Sequence, residues 1–213
     1  MAKWSFAFFL TLLALSVACR NGAKQLRNSI NKQQRNTIVE LHNQLRNKVA
    51  SGKVLSQSPA QNMKELVWDN EMAQHAQTWA DGCVFEHDPN RKDSRGQYFG
   101  QNLAMTMTSA QNNVNNPNIE YMINAWFNEV YKYGYTGGFN HATGHYSQMI
   151  WASSNKVGCG LTSYSSSKMY NTLLVCNYSP AGNVLGEHAY VKGSRNCGKF
   201  RMSDSKKFNS LCA

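Results

Sequence analysis

Gly144-His145-Tyr146-Ser147-Gln148-Met149-Ile150-Trp151 runs on through Ala152-Ser153-Ser154 to Val157-Gly158-Cys159-Gly160. It sets an imidazole, a hydroxyl, an amide and an aromatic wall close together, then meets a cysteine. A plain core segment would surround Met149, Ile150 and Trp151 with apolar neighbours, so the mixture points to the wall of a cleft. Gln148 to Ser153 is expected to be a short helix. His141 and His145 stand four apart, the spacing of a zinc pair on one helix face. Ala142-Thr143-Gly144 between them argues against that helix.

Downstream, Val157 to Tyr164 and Thr172 to Tyr178 are apolar, β-branched runs around the turn Ser165-Ser166-Ser167-Lys168, which reads as an antiparallel hairpin. Cys159 and Cys176 could face each other across it. Upstream, Asn31 can cap a helix with Ile38, Leu41, Leu45 and Val49 on one stripe, stopped at Gly52. Asp69 caps a second, carrying Met72, Ala73, Ala76, Trp79 and Ala80 and ending at Gly82. Glu86 to Gly96 is a polar loop, and Tyr98 to Met105 a short strand. A third helix opens at Pro117-Asn118, carries Ile119, Met122, Ile123, Trp126, Phe127 and Val130, and stops at Gly134. The fold class is α+β. Cys19 to about Ile30 is an extended arm, and Gly193 onward a tail pinned only by Cys197 and Cys212.

Lys3 followed by an apolar run from Phe6 to Val17 and by Ser16-Val17-Ala18 reads as a secretion signal over residues 1–18, with the mature chain starting at Cys19. The run is shorter than the roughly 20 residues a membrane span needs. The six cysteines, Cys19, Cys83, Cys159, Cys176, Cys197 and Cys212, all fall after it. An even number in a secreted chain implies three disulfides, although six cysteines allow 15 pairings. Twenty-two basic against 12 acidic residues give a net charge of +10. Outside a cell the acidic partners are sulfated glycans, cell surfaces and anionic lipids, and solubilising surface charge explains the excess equally well. No basic and aromatic interleaving suggests nucleic acid. HExxH, GxSxG, P-loop and strand-to-helix GxGxxG motifs are absent.

Four segments carry a family resemblance. Gly144 to Ser154 and Leu174-Val175-Cys176-Asn177-Tyr178-Ser179-Pro180-Ala181-Gly182-Asn183-Val184 resemble the two long signatures of the CAP superfamily (cysteine-rich secretory, antigen 5 and pathogenesis-related proteins). His42-Asn43-Gln44-Leu45-Arg46 and Gly100-Gln101-Asn102-Leu103 resemble its two shorter ones. Pro59 to Asp69, Lys156 to Gly160 and the ending Leu211-Cys212-Ala213 are similar to arthropod venom antigen 5 in particular. The resemblance implies a three-layer α-β-α sandwich with a central antiparallel sheet. It also implies the pairs Cys19–Cys83, Cys159–Cys176 and Cys197–Cys212. The chain then divides into the signal (1–18), an arm (19–37), the CAP domain (38–190) and a short disulfide-closed extension (191–213).

The same resemblance implies a cleft with two histidines and two acids, which here become His87, His145, Glu129 on the third helix, and Gln101 in place of the second acid. His87 and His145 are the candidate ligands for Zn²⁺ or Cu²⁺, and Glu129 could orient a histidine or accept a proton. An amide at 101 is no general base, which argues against hydrolysis and leaves a hydrogen-bonded polar cluster as the plainer reading. The implied function is a secreted salivary or venom component and allergen. It would bind host extracellular proteins, anionic glycans or small lipids without catalysis or a required cofactor. Such lipids could occupy a channel lined by the apolar faces of the first and third helices. The alternative is a copper- or zinc-dependent superoxide scavenger or hydrolase built on His87 and His145. Gln97 stands where an integrin-binding Arg-Gly-Asp loop would need Asp, so Ser94-Arg95-Gly96-Gln97 is not one. The sequon Asn177-Tyr178-Ser179, followed by Pro180, is expected to stay unmodified.

Overall fold

The computed structural model describes residues 19–20, 22–134 and 139–213; the expected secretion signal lies outside the described residues. Ten elements follow in order: β1 (Lys24–Arg27), α1 (Lys32–Ala50), β2 (Val67–Trp68), α2 (Asn70–Ala80), β3 (Gly100–Thr108), α3 (Ile119–Phe127), α4 (Val130–Tyr133), α5 (Gly144–Met149), β4 (Lys156–Ser166) and β5 (Met169–Ser179). The sheet runs β1-β4-β5-β3 with antiparallel neighbours, and β2 adds a short parallel pairing to β4.

Side-chain alternation along the strands divides the core between the two faces. Val157, Cys159, Leu161, Leu174, Cys176 and Tyr178 join the α1, α3 and α5 core, whereas Tyr164, Leu173, Val175 and Leu103 pack with Ala76 and Ala80 of α2. Helices on both faces of one sheet make the three-layer α-β-α sandwich that the sequence implied. Gly158 and Gly160 let α2 lie directly on β4. A Cβ there would fall 2.3 Å from Ala73 N and 2.2 Å from Gln77 N respectively.

Local chemistry sets the element ends. Asn31 and Gln34 form a reciprocal capping box on α1 at 2.8 and 3.0 Å. Asp69 Oδ1 accepts from Met72 N at the start of α2. The β4–β5 hairpin turns on Ser167 and Lys168, both with positive φ, the backbone that a two-residue turn requires. Cys159 and Cys176 stand directly opposite across this hairpin, and the other bridges are Cys19–Cys83 and Cys197–Cys212.

Several expectations need correction. The arm is not outside the core fold: β1 pairs with β4 and Cys19 is buried, while α1 begins at Lys32 behind the expected Asn31 cap. The tail is held by more than its cysteines. Glu65 N donates to Cys212 O, Cys212 N donates to Met63 O, and Leu211 is fully buried. The helix expected over Gln148–Ser153 instead spans Gly144–Met149. It stops there because the carbonyls of Met149, Trp151 and Ser154 turn to the buried Arg46 guanidinium. The third helix is not continuous to Gly134. It breaks at Asn128 and Glu129 between α3 and α4. The apolar faces of α1 and α3 are closed on each other rather than lining a channel: Ile38, Met122 and Ile123 are 0–1% exposed.

Candidate functional site

A cleft of 450 Å³ opens at the end of the sheet where β3 begins, and His87, Gln101 and His145 all line it. Glu129 stands behind His145 rather than in the lining. Gly100 and Gly182 make room for the wall. A Cβ on Gly100 would fall 2.0 Å from Gln148 Oε1, and one on Gly182 would fall 2.7 Å from the Trp151 ring. This is the physical need behind the glycines of the two signatures.

One half of the site is a directional relay of amides. Gln101 and Asn177 face each other across β3 and β5. Asp88 N donates to Gln101 Oε1 at 3.0 Å, which fixes the amide's orientation because a backbone N–H can only donate. Gln101 Nε2 therefore donates to Asn177 Oδ1 at 3.0 Å, and Asn177 Nδ2 points to Met72 O at 3.4 Å. His87 Nδ1 lies 3.0 Å from the same Gln101 oxygen, so it carries the proton and Nε2 keeps the lone pair. His87 sits exposed at the rim. Partial desolvation lowers its pKa most, the Gln101 hydrogen bond raises it, and the Arg91 charge, with that of His145 when protonated, lowers it further.

The other half is built on the break between α3 and α4. Glu129 Oε1 meets His145 Nδ1 at 2.6 Å, and Oε2 accepts from Tyr146 N at 3.0 Å. The Trp126 ring stacks on His145 with centroids 6.2 Å apart. Asn102 Nδ2 donates to His145 O at 3.0 Å. Glu129 thus orients the imidazole, with its proton on Nδ1, as the sequence reading allowed.

Behind both halves lies a buried network that sequence patterning left without a role. His42 Nδ1 donates to Ile38 O at 2.7 Å, so its Nε2 accepts from Tyr178 OH at 2.8 Å. Burial depresses the His42 pKa to about 4. Arg46 is fully buried with no carboxylate partner among the described residues, and donates to four carbonyls: Lys64, Met149, Trp151 and Ser154. Burial lowers its pKa to about 9. The His42-to-Arg46 motif is a brace for the cleft wall, and helical spacing alone could not distinguish it from a core stripe.

Arg91, which also lines the cleft, was missed because loop residues show no periodicity. The expected metal ligands meet only in part. His87 and His145 offer two Nε2 atoms at most, short of the three protein ligands of a catalytic zinc site. Among the described residues no group of three His, Cys, Asp or Glu side chains is placed to hold a metal ion. The residues present therefore do not complete such a centre. His141 does reach the cleft lining, but as part of a 3₁₀ turn that ends before α5.

The α-β-α sandwich with its polar cleft at one end of the sheet defines a CAP-type protein. A family model described as the cysteine-rich secretory protein family (CAP) matches residues 39–178, and the chain belongs to that family. It is 39% identical to the salivary antigen-5 of Dipetalogaster maximus over 228 aligned residues, covering 100% of this chain and 91% of the relative. It is 41% identical to venom allergen 5.02 of Vespa crabro over 170 residues, 76% of this chain and 82% of that one. The crystal structure of NaASP2 with Zn²⁺ superposes with a TM-score of 0.70 at 29% identity, covering 87% of this chain and 97% of that one. With three disulfides and these relatives, the protein is a secreted, extracellular one. Among the described residues no helix is long and apolar enough to cross a membrane.

Proposed function

We propose that the protein is a salivary or venom component and allergen of the antigen 5 type that acts by binding, without catalysis. The observation that carries this reading is the state of Gln101. Its oxygen is engaged by two donors and its nitrogen is donated away, so it supplies neither a base nor a negative charge. Glu129, the remaining acid, is held by His145 and Tyr146 N. Host extracellular proteins, anionic glycans and small lipids remain the partner classes. For a hydrophobic ligand, support comes from an open groove of 880 Å³ beside α1, where Val39, Leu41 and Trp68 are partly exposed and Arg35 stands alongside.

The second reading is a copper- or zinc-dependent superoxide scavenger or hydrolase. It rests on the two Nε2 lone pairs and on the zinc carried by the NaASP2 structure. Superoxide decay with and without added copper separates the two. Equal rates for wild type and a His87→Ala/His145→Ala variant are expected; a copper-dependent acceleration lost in the variant would overturn the binding reading.

A further inference from the structure

Most polar groups in the cleft are already satisfied by the protein. Besides Gln101, Asn183 accepts from Ser147 Oγ at 2.6 Å and donates to Gly144 O at 2.9 Å, and Gln148 Oε1 accepts from Gly182 N at 3.0 Å. Besides the His141 ring and the Tyr98 hydroxyl at its edge, what remains for a ligand is short. His87 and His145 each have Nδ1 engaged, so their neutral rings offer Nε2 as an acceptor. Arg91 donates through Nε to Phe99 O at 3.1 Å and through Nη1 to Asp88 O at 2.6 Å. Those two bonds pin the guanidinium plane, and Nη2 has no partner among the described residues. Among the described residues no Asp or Glu lines the cleft, whereas the rings of Tyr98 and Phe139 do.

We infer that the cleft binds an anionic, hydroxylated ligand. Its carboxylate, sulfate or phosphate would pair with Arg91, and an adjacent hydroxyl would donate to Nε2 of His87 or His145. Each simpler ligand leaves part of this set unused. A bare anion would bring no proton to the two lone pairs, and a neutral polyol would leave the guanidinium unmatched. A free cation would meet a fixed positive charge with no carboxylate in the lining. Arg is suited to the anionic end because its fork presents paired donors in a plane. Tyr98 and Phe139 give apolar surface for the carbon skeleton of such a ligand. Two sources share this chemistry: an acidic sugar of a glycan, or a small hydroxy acid. The inference uses the cleft of the proposed function but not its lack of catalysis, since a binding site of this kind would stand in an inert or an active protein.

The test is a titration of the full mature chain at low salt and about pH 7.5, above the usual histidine pKa of about 6.5. The imidazole Cε1–H signals of His87 and His145 are followed by ¹H–¹³C NMR. The probes are D-glucuronate, lactate, acetate and glucose. Glucuronate, lactate or both are expected to shift the two signals, with acetate and glucose binding about tenfold more weakly or less. Arg91→Gln should weaken the responding probe by about tenfold or more. Arg91 also anchors two carbonyls, so Gln101→Glu serves as a second variant. It adds negative charge without touching those bonds and should weaken the same probe. A response to glucuronate alone identifies an acidic sugar, and one to lactate alone a small acid. No shift from any probe at ~10 mM, where a millimolar site approaches saturation, overturns the inference. Acetate binding as well as lactate overturns the hydroxyl contact. Unchanged affinity in folded Arg91→Gln overturns the role of Arg91, and unchanged affinity in folded Gln101→Glu overturns the anionic character of the ligand. Superoxide and hydrolase assays read the proposed function separately, and neither result moves these signals.

Discussion

At residue 101 an amide decides what the cleft offers. Because Asp88 N can only donate and Met72 O can only accept, the relay through Gln101 and Asn177 has one direction and holds the His87 proton on Nδ1. Gln101→Glu would break that direction. A carboxylate can still accept from Asp88 N and His87, but Asn177 would have to turn over and lose its bond to Met72 O. The expected outcome is a His87 titration midpoint raised by at least about one pH unit, read by NMR. Gln101 and His145 were legible in the sequence because signatures of the family carry them, and His87 because the resemblance places a histidine after the second helix. Arg91, Asn102 and Asn177 were not legible as site residues. Their roles come from the fold: Arg91 reaches back to Phe99 O, and Asn177 meets Gln101 only once β3 and β5 are in register.

At the scale of elements, α2 lies backbone to backbone on β4. Gly160 on β4 lies where any side chain would enter the backbone of α2, since a Cβ there would sit 2.2–2.5 Å from atoms of Gln77 and Ala76. Gly160→Ala is expected to cost about 1–3 kcal/mol or more, the range of core overpacking, read as a lower urea midpoint. His87 and Asp88 follow α2 in the chain, so the same variant should broaden the His87 NMR signal before the protein unfolds. Apolar stripes with caps made α1 and α2 legible, and β-branched runs around a turn did the same for the hairpin. The ends of α3 and α5 were not legible, because tertiary bonds set them. Glu129 turns its carboxylate to His145 and Tyr146, and Arg46 draws the carbonyls that a longer α5 would have used. Intrinsic helix preference at Asn128-Glu129 or Ile150-Trp151 holds no trace of either pull.

For the whole molecule, pH acts through the buried network. The folded-state pKa of His42 is depressed to about 4, below its ordinary 6.5, so an unfolded chain takes up the proton first as pH falls. The stability that the neutral ring confers is complete above about pH 6.5 and drains away toward pH 4, by about 3 kcal/mol in all. His87, also depressed, pulls in the same direction over the upper part of that window. Urea midpoints measured from pH 7 to pH 4 should therefore decline, and His42→Gln should flatten the decline. The three bridges add a second consequence at this scale. Cys19–Cys83 spans 64 residues, which constrains the unfolded chain by roughly 4 kcal/mol in the chain-entropy picture. Cys197–Cys212 closes the last of them, and Cys212 is also hydrogen-bonded between Met63 and Glu65. Cys212 therefore ties the 197–212 loop to the Met63–Glu65 edge through one covalent and two hydrogen bonds. A chain cut after Ser210 would present Cys197 as a lone thiol to the secretory machinery, with the Met63–Glu65 edge bared. Such a product should be retained or appear as mixed disulfide-linked dimers on non-reducing gels, and Cys197→Ser in the same cut chain should remove the dimers while the bared edge remains.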